Sequence, residues 1–136
     1  MTQKDKELLL KDLCARLPYG VKILHEGWNF EWDDELSTVE KVVGIDKDFI
    51  YTKVINTHNG EEYRDDKWPI DTFDGKLFLR PMSSMTKEQE KEWLYTLSSD
   101  YNITYDTVDW CNKNHFDYRG LIEKGLAIDA TGLNIY

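Results

Sequence analysis

The sequence predicts an α+β fold: an N-terminal helix, a meander of about five short antiparallel strands, and helices toward the C-terminus. Three patterns predict this order. Apolar residues recur at helical spacing in residues 3–17. Short runs of β-branched and aromatic residues, separated by turn signals, fill residues 21–80. A capping box after Pro81 opens a second helical pattern, and no Gly/Ser-rich linker divides the chain, so we expect residues 1–136 to form a single domain.

The first helix is expected over residues 3–17. Its apolar face is formed by residues at spacings close to 3.6, namely Leu9, Leu10, Leu13, Cys14 and Leu17. The opposite face carries charged residues, namely Lys4, Lys11, Asp12 and Arg16. Thr2 with Asp5 resembles a capping pair at the start of the helix. Pro18 and Gly20 end the helix, because proline has no N–H to donate and glycine tolerates the turn that follows.

The strands of the meander follow one another with tight turns. We expect them at residues 21–26, 38–45, 49–57, 61–66 and 76–80, with residues 27–35 as a loop or an irregular strand edge. The strongest turn signal is Asn59-Gly60, because both residues accept positive φ. Sequential antiparallel pairing is the simplest arrangement. Such a sheet either curls into a small SH3-like barrel or is covered by helices.

Helical patterns return after the meander. Thr86 and Gln89 form a capping box for a helix over residues 87–97, and residues 104–114 form another. Asp117 is expected to cap a third, short helix that ends at Gly125. Residues 126–136 are expected to be a loosely attached tail.

Composition excludes several classes of protein. The net charge is −9, which repels a phosphate backbone and argues against binding to duplex nucleic acid. No apolar run approaches the roughly 20 residues that span a bilayer. The charged N-terminus does not read as a signal peptide, so a cytoplasmic location is expected. Cys14 and Cys111 match no CxxC pattern and are interpreted as buried free thiols, with a disulfide or a catalytic thiol as alternatives.

Three segments resemble a family of proteins. They are LLLKDLCARLPYGVK (residues 8–22), LRPMSSMT (residues 79–86) and FDYRGLIEKGLA (residues 116–127), together about a third of the chain. They look like parts of small proteins encoded by phages and mobile elements of gut Bacteroidales, a family without an assigned activity. The resemblance implies an accessory protein in a bacterial cytoplasm. By analogy, such a protein blocks a host defence by binding a host protein or by sequestering a signalling nucleotide.

The sequence contains no recognisable motif for catalysis or metal binding. His25, His58 and His115 are far apart, and no HExxH or Cys/His ligand spacing occurs. There is no GxSxG elbow and no Gly-rich phosphate loop. We therefore expect no catalytic residues, no cofactor and no metal site, although an acidic loop in residues 31–35 leaves a metal-dependent hydrolase open as an alternative.

Arg80, Ser83 and Ser84 are the first candidate binding residues. A predicted strand carries Arg80 to a loop that opens a helix, and helix N-termini present free N–H groups to anions. A guanidinium there can bind a phosphate through two hydrogen bonds. Alternatively, Arg80 pairs with one of the many acids, and the serines only cap the helix.

Aromatic side chains are the second set of candidates. Trp28, Phe30 and Trp32 alternate, so an extended segment places them on one side. Tyr63 and Trp68 lie in or near the following hairpin. Flat rings stack on nucleobases or anchor partner proteins, and the interleaved acids favour a protein partner with a basic surface. The alternative is that these rings fill the core of a barrel.

Three functions remain open after these observations. The first is a non-enzymatic binding protein that occupies a host protein through residues 28–35. The second is a homo-oligomeric sponge that sequesters a nucleotide immune signal with Arg80 and a stacked aromatic ring. The third is a small metal-dependent hydrolase.

Overall fold

A computed structural model describes residues 2–29, 34–56 and 58–136, with the backbone alone for residues 26–29 and 34–37. The chain divides into two compact units, Met1–Leu77 and Phe78–Tyr136. The α+β class is confirmed, with an N-terminal helix, a mixed set of strands and C-terminal helices. The described residues form seven strands rather than about five.

The first unit begins with α1, Gln3–Arg16. Thr2 and Asp5 form the predicted capping box, and a 3₁₀ turn, Leu17–Tyr19, follows the helix. Gly20 ends this turn in the left-handed conformation at φ 68°. The predicted helix is therefore confirmed to within one residue.

One face of α1 differs from its prediction. Leu9 and Leu13 are buried as expected, but Asp12 and Arg16 are also fully buried rather than solvent-facing. Arg16 Nε donates a hydrogen bond of 2.7 Å to Asp12 Oδ2, one helical turn away. A buried pair of opposite charges escapes an apolar periodicity count, because the count assigns every charged residue to solvent.

Four antiparallel strands follow α1: β1 (Lys22–Asn29), β2 (Asp34–Ile45), β3 (Phe49–Ile55) and β4 (Glu62–Pro69). Each pairs with the next along the chain. The β1–β2 pairing runs as far as Asn29 opposite Asp34, so of the two forms expected for residues 27–35, a loop or an irregular strand edge, the described ends are strand rather than loop. The Asn-Gly hairpin is confirmed, because Gly60 has φ 74° and the Asn56 amide donates to the Glu61 carbonyl at 2.8 Å.

A fifth strand, β5 (Lys76–Pro81), begins in the first unit, where Leu77 pairs with Ile23. Among the described strands, β4 pairs only with β3 and is an edge strand. The core of this unit consists of buried apolar side chains, namely Leu9, Leu13, Val21, Ile23, Val42, Ile50, Val54, Phe73 and Leu77.

The second unit contains two helices, α2 (Lys87–Thr96) and α3 (Tyr105–Lys113), each opened by a capping box. Short strands β6 (Phe116–Asp117) and β7 (Ala127–Asp129) both pair with β5. The β5–β6 pairing is parallel, with Arg80 opposite Phe116. The core of this unit consists of Phe78, Leu79, Cys111, Phe116, Leu121, Leu126, Ala127 and Ala130.

The short helix that was expected from Asp117 to Gly125 does not form. Asp117 does accept the amides of Leu121 and Ile122, at 3.0 and 2.9 Å, but the segment forms successive turns. A carboxylate that caps free amides satisfies a turn as well as a helix. The sequence signal was therefore correct for the hydrogen bonds and not for the helix.

The expectation of a loose C-terminal tail is also wrong. The Ala130 amide donates to the Leu79 carbonyl at 2.8 Å, and the Tyr136 hydroxyl donates to the Phe78 carbonyl at 3.0 Å. The ring of Tyr136 stacks on His115 with centroids 3.6 Å apart. These contacts attach the segment to partners that lie far away in the sequence.

The two cysteines differ from their prediction in one respect. Both are free, and Cys111 is buried as expected. Cys14 is exposed, so its thiol does not belong to the core.

Candidate functional site

Trp68 is fixed by side chains from the neighbouring strands. Its indole Nε1 donates a hydrogen bond of 2.9 Å to Oε1 of Glu40, which has no exposed surface. Thr52 and Thr38 donate their hydroxyls to the same carboxylate at 2.6 and 2.7 Å. His25 stacks on the indole with centroids 3.5 Å apart. Three neutral donors satisfy the hydrogen-bonding capacity of the buried Glu40 side chain. We therefore interpret the contacts of Trp68 as packing within the sheet.

Tyr63 lies on the exposed side of the edge strand β4, with 61% of its surface accessible. It lines a shallow depression of about 220 Å³ with Lys53, Glu62, Arg64 and Asp65. Lys53 forms an ion pair of 3.0 Å with Asp65, which raises the pKa of the lysine. Charged side chains on an edge strand are a common protection against unwanted strand pairing.

The aromatic segment is only partly described. Trp28 lies on β1, where its backbone pairs with Glu35 of β2. Trp32 lies outside the described residues. The proposed role of residues 28–35 therefore stays a prediction.

Arg80 and Ser84 line one pocket of about 470 Å³ in the second unit. The other lining residues come from the start of α2 and from the C-terminal segment, namely Thr86, Gln89, Ala130, Thr131, Gly132, Asn134, Ile135 and Tyr136. Arg80 lies over the Tyr136 ring, with its guanidinium carbon 5.8 Å from the centroid. The structure thus brings together an arginine, a helix N-terminus and an aromatic ring, although Tyr136 carried no functional signal in the sequence.

Ser83 and Ser84 are neighbours in the sequence but lie in different environments. Ser84 donates its hydroxyl to the Pro81 carbonyl at 2.7 Å, which ties down the turn before α2. Ser83 is exposed and lines a different groove of about 280 Å³, formed with Met82, Met85, Glu90 and Trp93. Neither serine caps α2, because Thr86 occupies that position.

Sequence reasoning missed a group of exposed apolar side chains around the α2–α3 connection. We call this group the hairpin surface, and it consists of Leu94, Tyr95, Tyr101, Ile103 and Tyr105. Tyr95 and Tyr105 are the most open, at 89% and 91% accessible. No described residue of α2 is buried. The density of large apolar residues in residues 94–105 was a visible signal, but apolar spacing does not say whether a helical face is covered.

Hydrogen bonds hold the two helices together at this end. The Thr104 and Thr107 hydroxyls both donate to the Thr96 carbonyl, at 2.7 and 3.0 Å. Trp110 Nε1 donates to a Glu92 carboxylate oxygen at 3.2 Å. The Thr104 side chain, next to Tyr105, is therefore bonded to the backbone carbonyl of Thr96, next to Tyr95, so that one anchored hairpin presents both rings.

No three His, Cys, Asp or Glu side chains in the described part of the chain gather into a group that could hold a metal ion. No helix of the described residues is long and apolar enough to cross a membrane.

Neither a family model, nor a curated protein, nor a solved structure matches the chain. The resemblance to phage and mobile-element proteins therefore stays a prediction. The functional proposals below rest on the geometry of the described residues.

Proposed function

We propose that the chain is a non-enzymatic binding protein that acts by occupying another protein, and that the hairpin surface makes the contact. The observation that carries this proposal is the exposure of Leu94, Tyr95, Tyr101, Ile103 and Tyr105 on one anchored hairpin. Five exposed large side chains on one short hairpin are a candidate interface, because tyrosine is among the residues that most often anchor interfaces. A tyrosine ring supplies contact area at little cost in conformational entropy.

Charge specifies the chemistry of the partner. Residues 87–109 carry six acidic and two basic side chains, a net charge of −4. All six acids are exposed, namely Glu88, Glu90, Glu92, Asp100, Asp106 and Asp109. Complementary charges steer association and select partners. The matching partner is a protein whose apolar pocket is rimmed by lysine or arginine.

The hairpin surface adds to the role expected for residues 28–35, which also combine aromatic rings with acids. The resemblance to phage and mobile-element proteins adds a further expectation. The resemblance implies that the partner is a protein of the bacterial host. It also implies that the contact blocks a host defence.

A direct test begins with the immobilised chain and a lysate of gut Bacteroidales, followed by purification of each captured protein. Binding of the purified partner is then measured by calorimetry with the wild-type chain and with Tyr95→Ser/Tyr105→Ser. We expect the double variant to bind at least about 30-fold more weakly, since one interface anchor contributes about 2 kcal/mol. The wild-type affinity should also fall as salt rises.

Tyr63→Ser is the matched control, because Tyr63 is exposed but lies in the other unit. It should retain the wild-type affinity. Unchanged binding by the double variant would refute the proposal. Sedimentation that shows a wild-type dimer and a monomeric double variant would also refute it, because the surface would then join two copies of this chain.

A further inference from the structure

The residues that line the pocket of about 470 Å³ at Arg80 differ in charge from the chain as a whole. The chain carries −9, yet the lining contains one arginine and no acidic side chain. None of the ion pairs in the described part of the chain includes Arg80. A partly buried cation without a carboxylate partner is a favourable site for an anion.

The donors of Arg80 are only lightly used. Among the described residues, its guanidinium donates one hydrogen bond, a long one from Nη1 to the Asn114 carbonyl at 3.5 Å. A guanidinium has five N–H donors in a planar fork. Most of the fork is therefore available to a ligand in the pocket.

Neutral donors accompany the arginine. Gln89 uses its amide oxygen to accept the Thr86 amide at 2.9 Å, which leaves its NH₂ group to donate. The Thr86 hydroxyl oxygen accepts the Gln89 amide at 3.1 Å and keeps its own proton to donate. Asn134 adds a second side-chain amide to the lining. A phosphate offers three terminal oxygens to such a set, whereas a carboxylate offers two.

Three acids flank lining residues in the sequence, namely Glu88, Glu90 and Asp129, and none of them lines the pocket. Asp129 accepts the Thr131 amide at 2.9 Å, and its hydrogen bonds to Thr131 lower the pKa of the carboxyl. Its carboxylate does not line the pocket. The anion site is therefore not filled by a neighbouring acid of the same segment.

We propose that this pocket binds the phosphate group of a small phosphate ester, with Arg80 as the charged donor and Thr86, Gln89 and Asn134 as neutral donors. A volume of about 470 Å³ lies within the range of ordinary ligand pockets, roughly 300–1,000 Å³. The site is independent of the proposed protein contact, since none of its lining residues belongs to the hairpin surface.

The test is calorimetry of the full chain with AMP, ribose 5-phosphate and adenosine. We expect AMP and ribose 5-phosphate to bind, and adenosine to bind at least about tenfold more weakly, because a charge-assisted hydrogen bond is worth about one decade or more in affinity. Arg80→Gln should weaken the affinity for AMP by about tenfold or more, for the same reason. Arg119→Gln is the matched control, since Arg119 also lies over a tyrosine ring, 4.8 Å from the centroid of Tyr118, but does not line the pocket.

Amide chemical shifts of the wild-type chain titrated with AMP give a measurement that does not depend on a variant's folding. Shifts confined to the pocket lining support the site. Absence of binding by both phosphate esters would overturn the proposal. Equal affinity for AMP and adenosine, or equal loss in Arg80→Gln and Arg119→Gln, would also overturn it.

Discussion

Trp68 on the edge strand β4 donates its indole N–H to Glu40 on β2, two strands away, over a distance of 2.9 Å. Thr52 on the intervening strand β3 donates to the same carboxylate at 2.6 Å. His25 on β1 stacks on the indole at 3.5 Å. One buried carboxylate and one indole thus connect side chains from all four antiparallel strands.

Loss of this hydrogen bond should destabilise the chain. Trp68→Phe keeps an aromatic ring but leaves the Glu40 carboxylate with one donor fewer. We expect a loss of about 1–3 kcal/mol in the free energy of unfolding, because a buried acceptor is left without one of its hydrogen bonds. Urea denaturation of the wild type and the variant, monitored by circular dichroism, measures this loss.

Trp110→Phe is the control for this loss. The indole of Trp110 also donates to a carboxylate, that of Glu92 at 3.2 Å, but this hydrogen bond is exposed to solvent. Water replaces an exposed partner, so the control should lose less than about 1 kcal/mol. Equal losses in the two variants would contradict a special role for the buried carboxylate.

The turn between β2 and β3 should show a specific pH dependence. Asp46 accepts the Tyr51 hydroxyl at 2.6 Å and the amides of Asp48 and Phe49 at 2.8 Å each. The Tyr51 hydroxyl, followed by the two amides, lowers the pKa of Asp46, and the same hydrogen bond raises the pKa of Tyr51. The stabilisation is present above the ordinary aspartate pKa of about 3.9 and is lost as pH falls through the lower folded pKa.

Carbon-detected NMR titration of the Asp46 carboxyl measures this effect. We expect Tyr51→Phe to raise the pKa of Asp46 toward its ordinary value, because the variant removes the largest cause of the shift. Tyr63→Phe, on the exposed face of β4, should leave that pKa unchanged. An Asp46 pKa that is the same in wild type and Tyr51→Phe would show that the hydroxyl does not act on it.

The C-terminal segment should be protected from hydrogen exchange. The Ala130 amide is bonded to Leu79, and Tyr136 fixes the end of the segment through Phe78 and His115. Tyr136→Ala removes a hydrogen bond and a ring stack, together about 1–2 kcal/mol, so Ala130 should exchange about tenfold faster or more.

Leu133→Ala serves as the comparison, because half of the Leu133 surface is already exposed. Its Ala130 amide should exchange at the wild-type rate. If Ala130 exchanges at the rate of an open chain in the wild type, the segment is the loose tail that the sequence suggested.

The helices were predictable because their signals are local. The expected ranges of residues 3–17, 87–97 and 104–114 differ from α1, α2 and α3 by at most one residue at each end. Capping boxes and apolar spacing act within a few residues of each other, so they are visible without a fold. The Asn-Gly turn was predictable for the same reason.

Candidate site residues were harder to place, because function depends on neighbours that are distant in sequence. Arg80 carried a signal, but the pocket around it needs the C-terminal segment, and no local pattern placed that segment beside Arg80. Trp68 was a candidate binding residue, and only the fold places Glu40 and His25 beside its indole. The hairpin surface was missed because helical periodicity says which side chains share a face, and not whether anything covers that face.

The sequence by itself determined the α+β class, the three helices, the antiparallel order of the early strands and the acidic charge. Each of these follows from short-range periodicity, turn chemistry or composition. Only the tertiary structure decided that Asp12 and Arg16 are buried together, that residues 127–129 pair with β5, and that five apolar side chains stay uncovered near α2. Burial and strand pairing join residues that are far apart along the chain, and their free energy depends on partners that no local pattern identifies.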